Sequence, residues 1–191
     1  KVGLQKVRSN KVLLLMDKHK KKIYNNYVVN MVSSARVVFG MDCDIYEMEN
    51  IVKSTTGYSK SGRAGGKVEN LERLFAVIEK FRNKYDAIGL STIINIPDDS
   101  PKKYFLTDND DVINPWGGLE AMLTHSVSET FRIPCAHAPL MSDEFEEIYT
   151  EVVEPRKCAE AVSITELYCI LKGLHRSPKI VGENMGITLE D

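Results

Sequence analysis

The sequence lacks the cysteine spacing that would point to a metal or disulfide framework. Its 191 residues include four cysteines, but none of these forms the C-x-x-C pair of a structural zinc site: Cys43, Cys135, Cys158 and Cys169. No secretory signal precedes the first apolar segment. We therefore expect reduced thiols and a cytoplasmic location.

Long apolar runs and an excess of one charge are also missing. The longest apolar runs, such as Val12–Met16, are far shorter than the roughly 20 residues that a membrane helix requires. Lysine and arginine number 25 against 27 acidic residues, which gives a net charge of -2. Such a balance provides no overall field for nucleic acid or an anionic membrane, so we expect neither as a partner.

What the sequence does contain is an alternation of strand and helix patterns. An uninterrupted apolar run predicts a strand at 11–17, and further strands are predicted at 43–48 and 87–94. Helical spacing of apolar residues predicts helices at 24–38 and 71–81. This order predicts a three-layer α/β domain with a mainly parallel sheet and helices on both faces, Rossmann-like but without a dinucleotide fingerprint.

The alternation continues in the second half of the chain. Gly117–Phe131 is predicted to be a helix, and Ile133–His137 is short enough to be a strand or the end of one. Ser163 and Glu166 have capping-box spacing at the start of another helix, which Gly173 is predicted to end.

The chain begins at Lys1 without an initiator methionine. We expect residues 1–191 to form a single α/β domain that is the C-terminal portion of a longer protein. In that case a missing N-terminal segment, or a second copy in a homo-oligomer, would complete the site.

A glycine-rich stretch lies between a predicted strand and a predicted helix. Glycines allow backbone amides to approach an anion, and the following helix would present its positive end. The alternative is a flexible surface loop or lid. The stretch fails as a P-loop because Val68 stands where a magnesium-binding hydroxyl belongs. The candidate ligand-binding residues here are Ser61, Gly62, Arg63, Gly65 and Gly66.

Gly117 and Gly118 open the next predicted helix and offer a second place for an anion. His125 and Glu129 lie one turn apart on that helix, so the carboxylate could hold the imidazole in one tautomer. A general base or a metal ligand needs that arrangement. The alternative is a histidine at the edge of the core with a local partner.

The turn after this helix contains Cys135 and His137. Residues that alternate on an extended segment point to the same side, so this thiol and imidazole are expected to face together. A cysteine beside an imidazole can become a thiolate nucleophile or base, and the pair could bind a divalent metal together with His125. The alternative is that Cys135 packs beneath the sheet.

Two polar residues follow the clearest predicted strand. Asn95 and Asp98 stand where open α/β sheets place their ligand crevice, so they could reach a substrate or a metal. Asp99 is better explained by an Asx-type turn between Pro97 and Pro101.

Several of these motifs resemble a known family. Pro115–Ala121 (PWGGLEA), His125 and Ile133–Pro139 (IPCAHAP) resemble the C-terminal signature of an uncharacterised bacterial and plant family classed as a domain of unknown function. The loop with Ser61–Gly62 and Gly65–Gly66, and Pro97–Asp99 after the strand, are similar to its middle portion. The resemblance implies longer members with a further N-terminal α/β segment, and a plastid stroma location for a plant member.

These features support three hypotheses. The first is a cytoplasmic enzyme, an isomerase, lyase or hydrolase, acting on a small anionic metabolite through Cys135 and His137, with His125 as partner base oriented by Glu129. The second is a metal-dependent enzyme with His125 and His137 as ligands, the cofactor being otherwise unknown. The third is a non-catalytic metabolite-binding module that joins an assembly through Tyr149, Val152 and Val153.

Overall fold

The structure is a computed structural model that describes residues 2–49, 52–97, 100–108, 111–140, 152–161 and 163–188. The strands are β1 Val2–Gln5, β2 Lys11–Asp17, β3 Asp42–Met48, β4 Lys53–Tyr58, β5 Ala64–Glu69, β6 Ala87–Ser91, β7 Ile94–Asn95, β8 Cys135–His137 and β9 Lys179–Gly182. The helices are α1 Lys22–Phe39, α2 Leu71–Phe81, α3 Ser100–Leu106, α4 Gly117–Phe131, α5 Cys158–Ala161 and α6 Ser163–His175.

The main sheet is parallel throughout. Its strands lie in the order β3-β2-β6-β8, so β2 and β6 occupy the centre. The apolar run of β2 fits this place because a central parallel strand is covered on both faces. Val12, Leu14 and Leu15 have no exposed surface. The fold is therefore α/β with a mainly parallel sheet, as the alternation predicts.

The two faces of this sheet carry separate cores. Val12, Leu14 and Met16 pack with apolar residues of α1 and α6. Leu13 and Leu15 point the other way and pack with residues of α2 and α4. This alternation follows from the two-residue period of a strand. The predicted strand 11–17 and helices 71–81 and 117–131 are confirmed with the bounds expected.

Helix α1 ends at Phe39 and is capped by Gly40. Gly40 has φ 66°, and its amide donates to the Arg36 carbonyl, which is a left-handed cap that glycine adopts without strain. Val38, however, is 65% exposed, so the buried stripe of the helix ends at Ala35.

The glycine-rich stretch differs most from expectation. It forms an antiparallel hairpin of β4 and β5, which joins β7 in a second sheet of order β5-β4-β7. The expected loop between a strand and a helix is therefore wrong as secondary structure, whereas anion binding by this stretch stays a prediction. Gly65 and Gly66 lie inside β5, and α2 begins only at Leu71. With few β-branched residues in β5, the sequence carries little strand signal there.

The hairpin lies against the beginning of α4. A Cβ on Gly118 would collide with the Ala64 carbonyl, and one on Gly66 would collide with the Thr55 carbonyl. Gly66 also has φ 155°, which L side chains rarely adopt. These two glycines therefore allow the helix and both strands of the hairpin to approach closely.

The remaining differences concern element ends. The strand expected at 87–94 is divided, because the chain leaves the main sheet after Ser91 and enters the second sheet as β7. Helix α6 continues through Gly173 to His175, so the predicted stop is wrong. Helix α3 was not predicted, nor was the antiparallel β1–β9 ribbon. Within the described residues, no helix is both long and apolar enough to span a membrane.

Candidate functional site

The candidate site lies where the parallel strands of the main sheet end. Asp17 ends β2, Thr92 follows the last residue of β6, and His137 ends β8. Because β2, β6 and β8 are neighbours in that order, their carboxyl ends bring these three side chains to one edge. Open α/β sheets bind ligands at this edge.

His137 is held through both ring nitrogens. Its Nδ1 lies 2.9 Å from Glu120 Oε1, and its Nε2 lies 2.9 Å from Thr92 Oγ1. A carboxylate can only accept, so Nδ1 carries the hydrogen, and Nε2 then accepts from the Thr92 hydroxyl. The result is a continuous chain of hydroxyl, imidazole and carboxylate, the arrangement found in hydrolytic triads.

Glu120 connects His137 to solvent. The His137 side chain is fully buried, whereas the Glu120 side chain keeps 18% of its surface exposed. Glu120 lies on α4, one residue after Leu119, whose side chain is buried in the core. The helix therefore holds the carboxylate at the boundary between the buried imidazole and the surface.

A second carboxyl group, Glu166, interacts electrostatically with Glu120 and with Glu160. Burial, together with the charges of Glu120 and Glu160, raises the pKa of Glu166 to about 9. Glu166 therefore holds its proton to a higher pH than an ordinary carboxyl group does. Glu160 accepts hydrogen bonds from Tyr104 Oη and Asn114 Nδ2, each at 3.0 Å. The site is strongly acidic on the side of α5 and α6.

Asp17 is the most deeply buried carboxylate of the site, with 1% of its surface exposed. Its Oδ2 accepts from the Ile93 amide at 2.9 Å, whereas Oδ1 has no hydrogen-bond partner among the described residues. Burial raises the Asp17 pKa to about 6, against the opposing effects of the Ile93 amide and of His137. Asp17 therefore interacts electrostatically with the same imidazole as Glu120.

Cys135 faces the same side of the sheet as His137, as the alternation predicts. It packs, however, against the core formed with α2 and α4. Burial raises the Cys135 pKa well above the usual range of a thiol. The thiolate expected at Cys135 stays a prediction that burial opposes, because no charge among the described residues offsets the cost of desolvation.

His125 and Glu129 are both exposed on α4. His125 follows Glu120 by five residues, which places it about 140° further round the helix. Helix geometry thus directs His125 away from the His137 site. Within the described ranges, no group of three His, Cys, Asp or Glu side chains could hold a metal ion. The expected His125–His137 ligand pair is not assembled there.

The glycines expected to bind anions have structural partners. Asn114 Oδ1 accepts from the Trp116 and Gly117 amides at 2.8 and 3.1 Å, so this end of α4 is already capped. Gly118 packs against Ala64. Asn95 is exposed in β7.

Gly62 lies in the hairpin turn, where Ser59 Oγ accepts from the Arg63 amide and lies 3.0 Å from Ser61 Oγ. Ser61 and Arg63 are exposed in the same turn, and Gly65 and Gly66 lie in β5. Asp98 and Tyr149 fall outside the described residues.

Two surface clefts in the described part of the chain lie elsewhere. One, of about 230 Å³, lies at the opposite edge of the main sheet between Arg82, Arg132 and Lys179. The other is beside α3, at Lys102, Leu106 and Val112. Neither of these two clefts includes His137, whose side chain is fully buried.

Sequence reasoning identified His137 but missed its partners. Asp17 and Thr92 carried a usable signal, since each is a polar residue at the end of a buried apolar strand. Glu120 lies within the PWGGLEA motif and was passed over in favour of His125. Glu166 was considered only as a capping residue.

Comparison with known proteins places the chain in a family without assigning an activity. No solved structure gives a significant match. The chain is 26% identical over 179 residues to "Uncharacterized lipoprotein syc1174_c" of Synechococcus sp. (strain ATCC 27144 / PCC 6301 / SAUG 1402/1). The match covers 92% of this chain but 48% of the relative, so the chain spans about half the relative's length. The family described as "Protein of unknown function (DUF3326)" matches residues 1–190, and the chain belongs to that family.

Proposed function

We propose that the protein is an enzyme that acts on a small metabolite, with His137 as its acid–base group. The observation that carries this proposal is the double contact of His137, at 2.9 Å to Glu120 and 2.9 Å to Thr92. Histidine titrates near neutral pH, so an imidazole held in one tautomer is suited to accept and return a proton.

The roles of the neighbouring groups follow from their chemistry. Glu120 accepts from Nδ1 and would stabilise the imidazolium that forms when Nε2 takes a proton. The Thr92 hydroxyl lies at the nitrogen where that proton would arrive. In a hydrolase or lyase it would act as nucleophile or as proton carrier, and in an isomerase as proton carrier only.

We further propose that the metabolite is anionic and that its charged end meets the β4–β5 hairpin. Lys60 and Arg63 are exposed at the hairpin turn. The adjoining Ala64 contacts Gly118 on α4, the helix that supplies Glu120. The cationic turn therefore lies against the helix that holds one side of the His137 site.

We also propose that the fold is three-layered and Rossmann-like and that the protein is cytoplasmic. The separate cores on the two faces of the main sheet support a three-layer, Rossmann-like arrangement. Four cysteines that are all free support a reducing compartment such as the cytoplasm. Because the relative is named a lipoprotein, separating the native protein into soluble and membrane fractions directly tests the proposed cytoplasmic location.

The test compares two histidine variants. Purified protein is incubated with a small-molecule extract, and metabolite changes are followed by mass spectrometry. We expect His137→Gln to lose turnover by about 100-fold or more, which is the usual contribution of a general acid or base. His125→Gln is the matched control and should retain native turnover, because His125 is exposed on α4 and directed away from the site.

Glu120→Gln provides a second variant should His137→Gln fail to fold. It keeps the size of the side chain and removes the charge that would stabilise the imidazolium. Equal turnover in the native protein and in folded His137→Gln and Glu120→Gln proteins would overturn the proposal. A metabolite that binds at His137 and remains unchanged would favour a binding module instead.

A further inference from the structure

We propose that Asp17 binds a protonated amino group of the substrate. This inference rests on the proposed function and adds the chemical class of the substrate's reacting end. Asp17 Oδ1 belongs to a residue with 1% exposure and has no hydrogen-bond partner among the described residues. A buried carboxylate oxygen without a donor is costly, so it calls for a group that the described residues do not supply.

The fold holds Asp17 in place independently of any ligand. Its Oδ2 accepts from the Ile93 amide at 2.9 Å. Its main-chain carbonyl accepts from Asn25 Nδ2 at 2.7 Å, and Asn25 Oδ1 in turn accepts from the His19 amide at 2.8 Å. One carboxylate oxygen is thus fixed by a hydrogen bond, while the other has no partner among the described residues. The carboxylate is therefore held in place as a hydrogen-bond acceptor before any ligand binds.

The surrounding charges favour a cationic group. Among the described residues, no lysine or arginine forms a salt bridge with Asp17, Glu160 or Glu166. In the same ranges, Glu120 pairs only with His137. Lys157 is buried, but its ammonium donates to the Tyr104 and Thr107 carbonyls at 2.9 and 3.0 Å, at the end of α3.

Glu120 and Asp17 therefore both interact with one imidazole, and no lysine or arginine of the described ranges pairs with either carboxylate. An ammonium group supplies both the positive charge and the hydrogen-bond donors that Asp17 Oδ1 lacks. Bound there, it would lie at the sheet edge shared with His137, so that the adjoining carbon atoms of the substrate reach the imidazole.

The test uses three one-carbon probes that differ in charge: methylammonium, methanol and formate. Each is titrated into isotopically labelled protein at about pH 7.5, which lies above the Asp17 pKa of about 6, with sodium chloride matching the ionic strength. The Ile93 amide, which donates to Asp17, reports binding through its NMR chemical shift. We expect a saturable shift with methylammonium alone.

Two variants locate the binding. Asp17→Asn keeps an oxygen for the Ile93 amide and removes the charge, so methylammonium should bind at least about tenfold more weakly. Asp42→Asn, an exposed position at the start of β3, should bind as the native protein does. Glu120→Gln serves as a second site variant and should weaken binding through the loss of negative charge.

The outcomes separate this inference from the proposed function. Absence of a saturable methylammonium shift, or equal binding by Asp17→Asn, overturns the amine site even where turnover depends on His137. Tighter binding of formate also overturns it. Methylammonium binding that requires Asp17, in a protein whose metabolite turnover does not depend on His137, supports the amine site and overturns the catalytic proposal.

Discussion

At the scale of single residues, the contrast between His125 and His137 shows that the residue type does not determine the burial or the hydrogen bonding of a side chain. Both are histidines of the same motif region, yet His125 is exposed and the His137 side chain is fully buried between Glu120 and Thr92. Burial excludes water, so the hydrogen bonds of His137 are stronger than the same bonds would be at the surface.

The Asp17 carboxylate is expected to reduce stability at neutral pH. Its pKa is about 6 in the folded protein against 3.8 in the unfolded chain, so the folded state holds the proton more tightly. Stability falls as pH rises from about 4 to 6 and stays lower above that range. Asp17→Asn should therefore raise the free energy of unfolding at pH 7, by at most about 3 kcal/mol.

Urea unfolding at pH 4 and at pH 7 measures this effect. The gain should be present at pH 7 and absent near pH 4, where the native carboxyl group is already protonated. Asp42→Asn should show no gain at either pH. A lower stability of Asp17→Asn at pH 7 would mean that the charge of Asp17 stabilises the fold. A more stable but inactive variant would be typical of a functional residue.

Thiol reactivity should divide the cysteines into two pairs. Cys158 and Cys169 are exposed, whereas burial raises the pKa of Cys43 to about 12 and that of Cys135 above its usual range. Because the thiolate is the reactive form, a thiol reagent should modify Cys158 and Cys169 first. Mass spectrometry of the labelled peptides checks the order. Rapid modification of Cys135 in the folded protein would contradict this order and would support Cys135 as a nucleophile.

At the scale of elements, the contact between α4 and the hairpin decides how the site is enclosed. Gly118→Ala would place a methyl group against the Ala64 carbonyl, which is backbone and cannot rotate away. We expect a loss of about 1 to 3 kcal/mol in the free energy of unfolding. NMR shifts should change along β5 and at Glu120, because the helix must move from the hairpin.

Gly173→Ala is the matched control, since a Cβ there meets nothing within 4 Å and the residue lies inside α6. Alanine favours the helix over glycine, so this variant should be more stable by up to about 1 kcal/mol. Thermal unfolding of both variants provides the comparison. Equal effects of the two substitutions would mean that α4 and β5 do not approach as closely as the structure shows.

The β4–β5 hairpin is also where the observed secondary structure differs most from the prediction. Residues 55–67 are rich in glycine, hydroxyl and cationic groups, a composition shared by phosphate-binding loops and surface loops. Here Gly66 and Gly118 instead permit the close approach of backbones. Local composition does not distinguish a glycine that approaches a ligand from one that approaches another strand.

At the scale of the whole molecule, stability should decrease from mildly acidic to alkaline pH. Burial raises the pKa of Glu166 to about 9, with Glu120 and Glu160 as further causes, and Asp17 has a raised pKa as well. For each raised carboxyl, the folded state binds protons that the unfolded chain has already released. The destabilisation therefore accumulates from about pH 4 to pH 9.

Denaturant unfolding across this range measures the effect, and the double variant Asp17→Asn, Glu166→Gln should flatten it. A native protein whose stability rises over the same range would show that paired carboxylates, rather than Asp17 and Glu166, dominate the pH response.

The sequence by itself determined the main elements of this protein. The apolar run of β2 and the helical spacing in α2 and α4 predict those elements with the observed bounds, because strand and helix periods are local properties. It also predicted that Cys135 and His137 face one side, since alternation requires only an extended backbone. The chain order of strands and helices likewise indicates a parallel sheet.

Tertiary structure alone decided which side chains meet. Thr92 and His137 are separated by 45 residues and Glu120 and His137 by 17, and they come together only because β6 and β8 are neighbours and α4 packs beside them. The buried state of Asp17, whose Oδ1 has no donor in the described part of the chain, depends on the strand order as well. Desolvation and pairing are properties of a three-dimensional environment, so no local pattern in the chain records them.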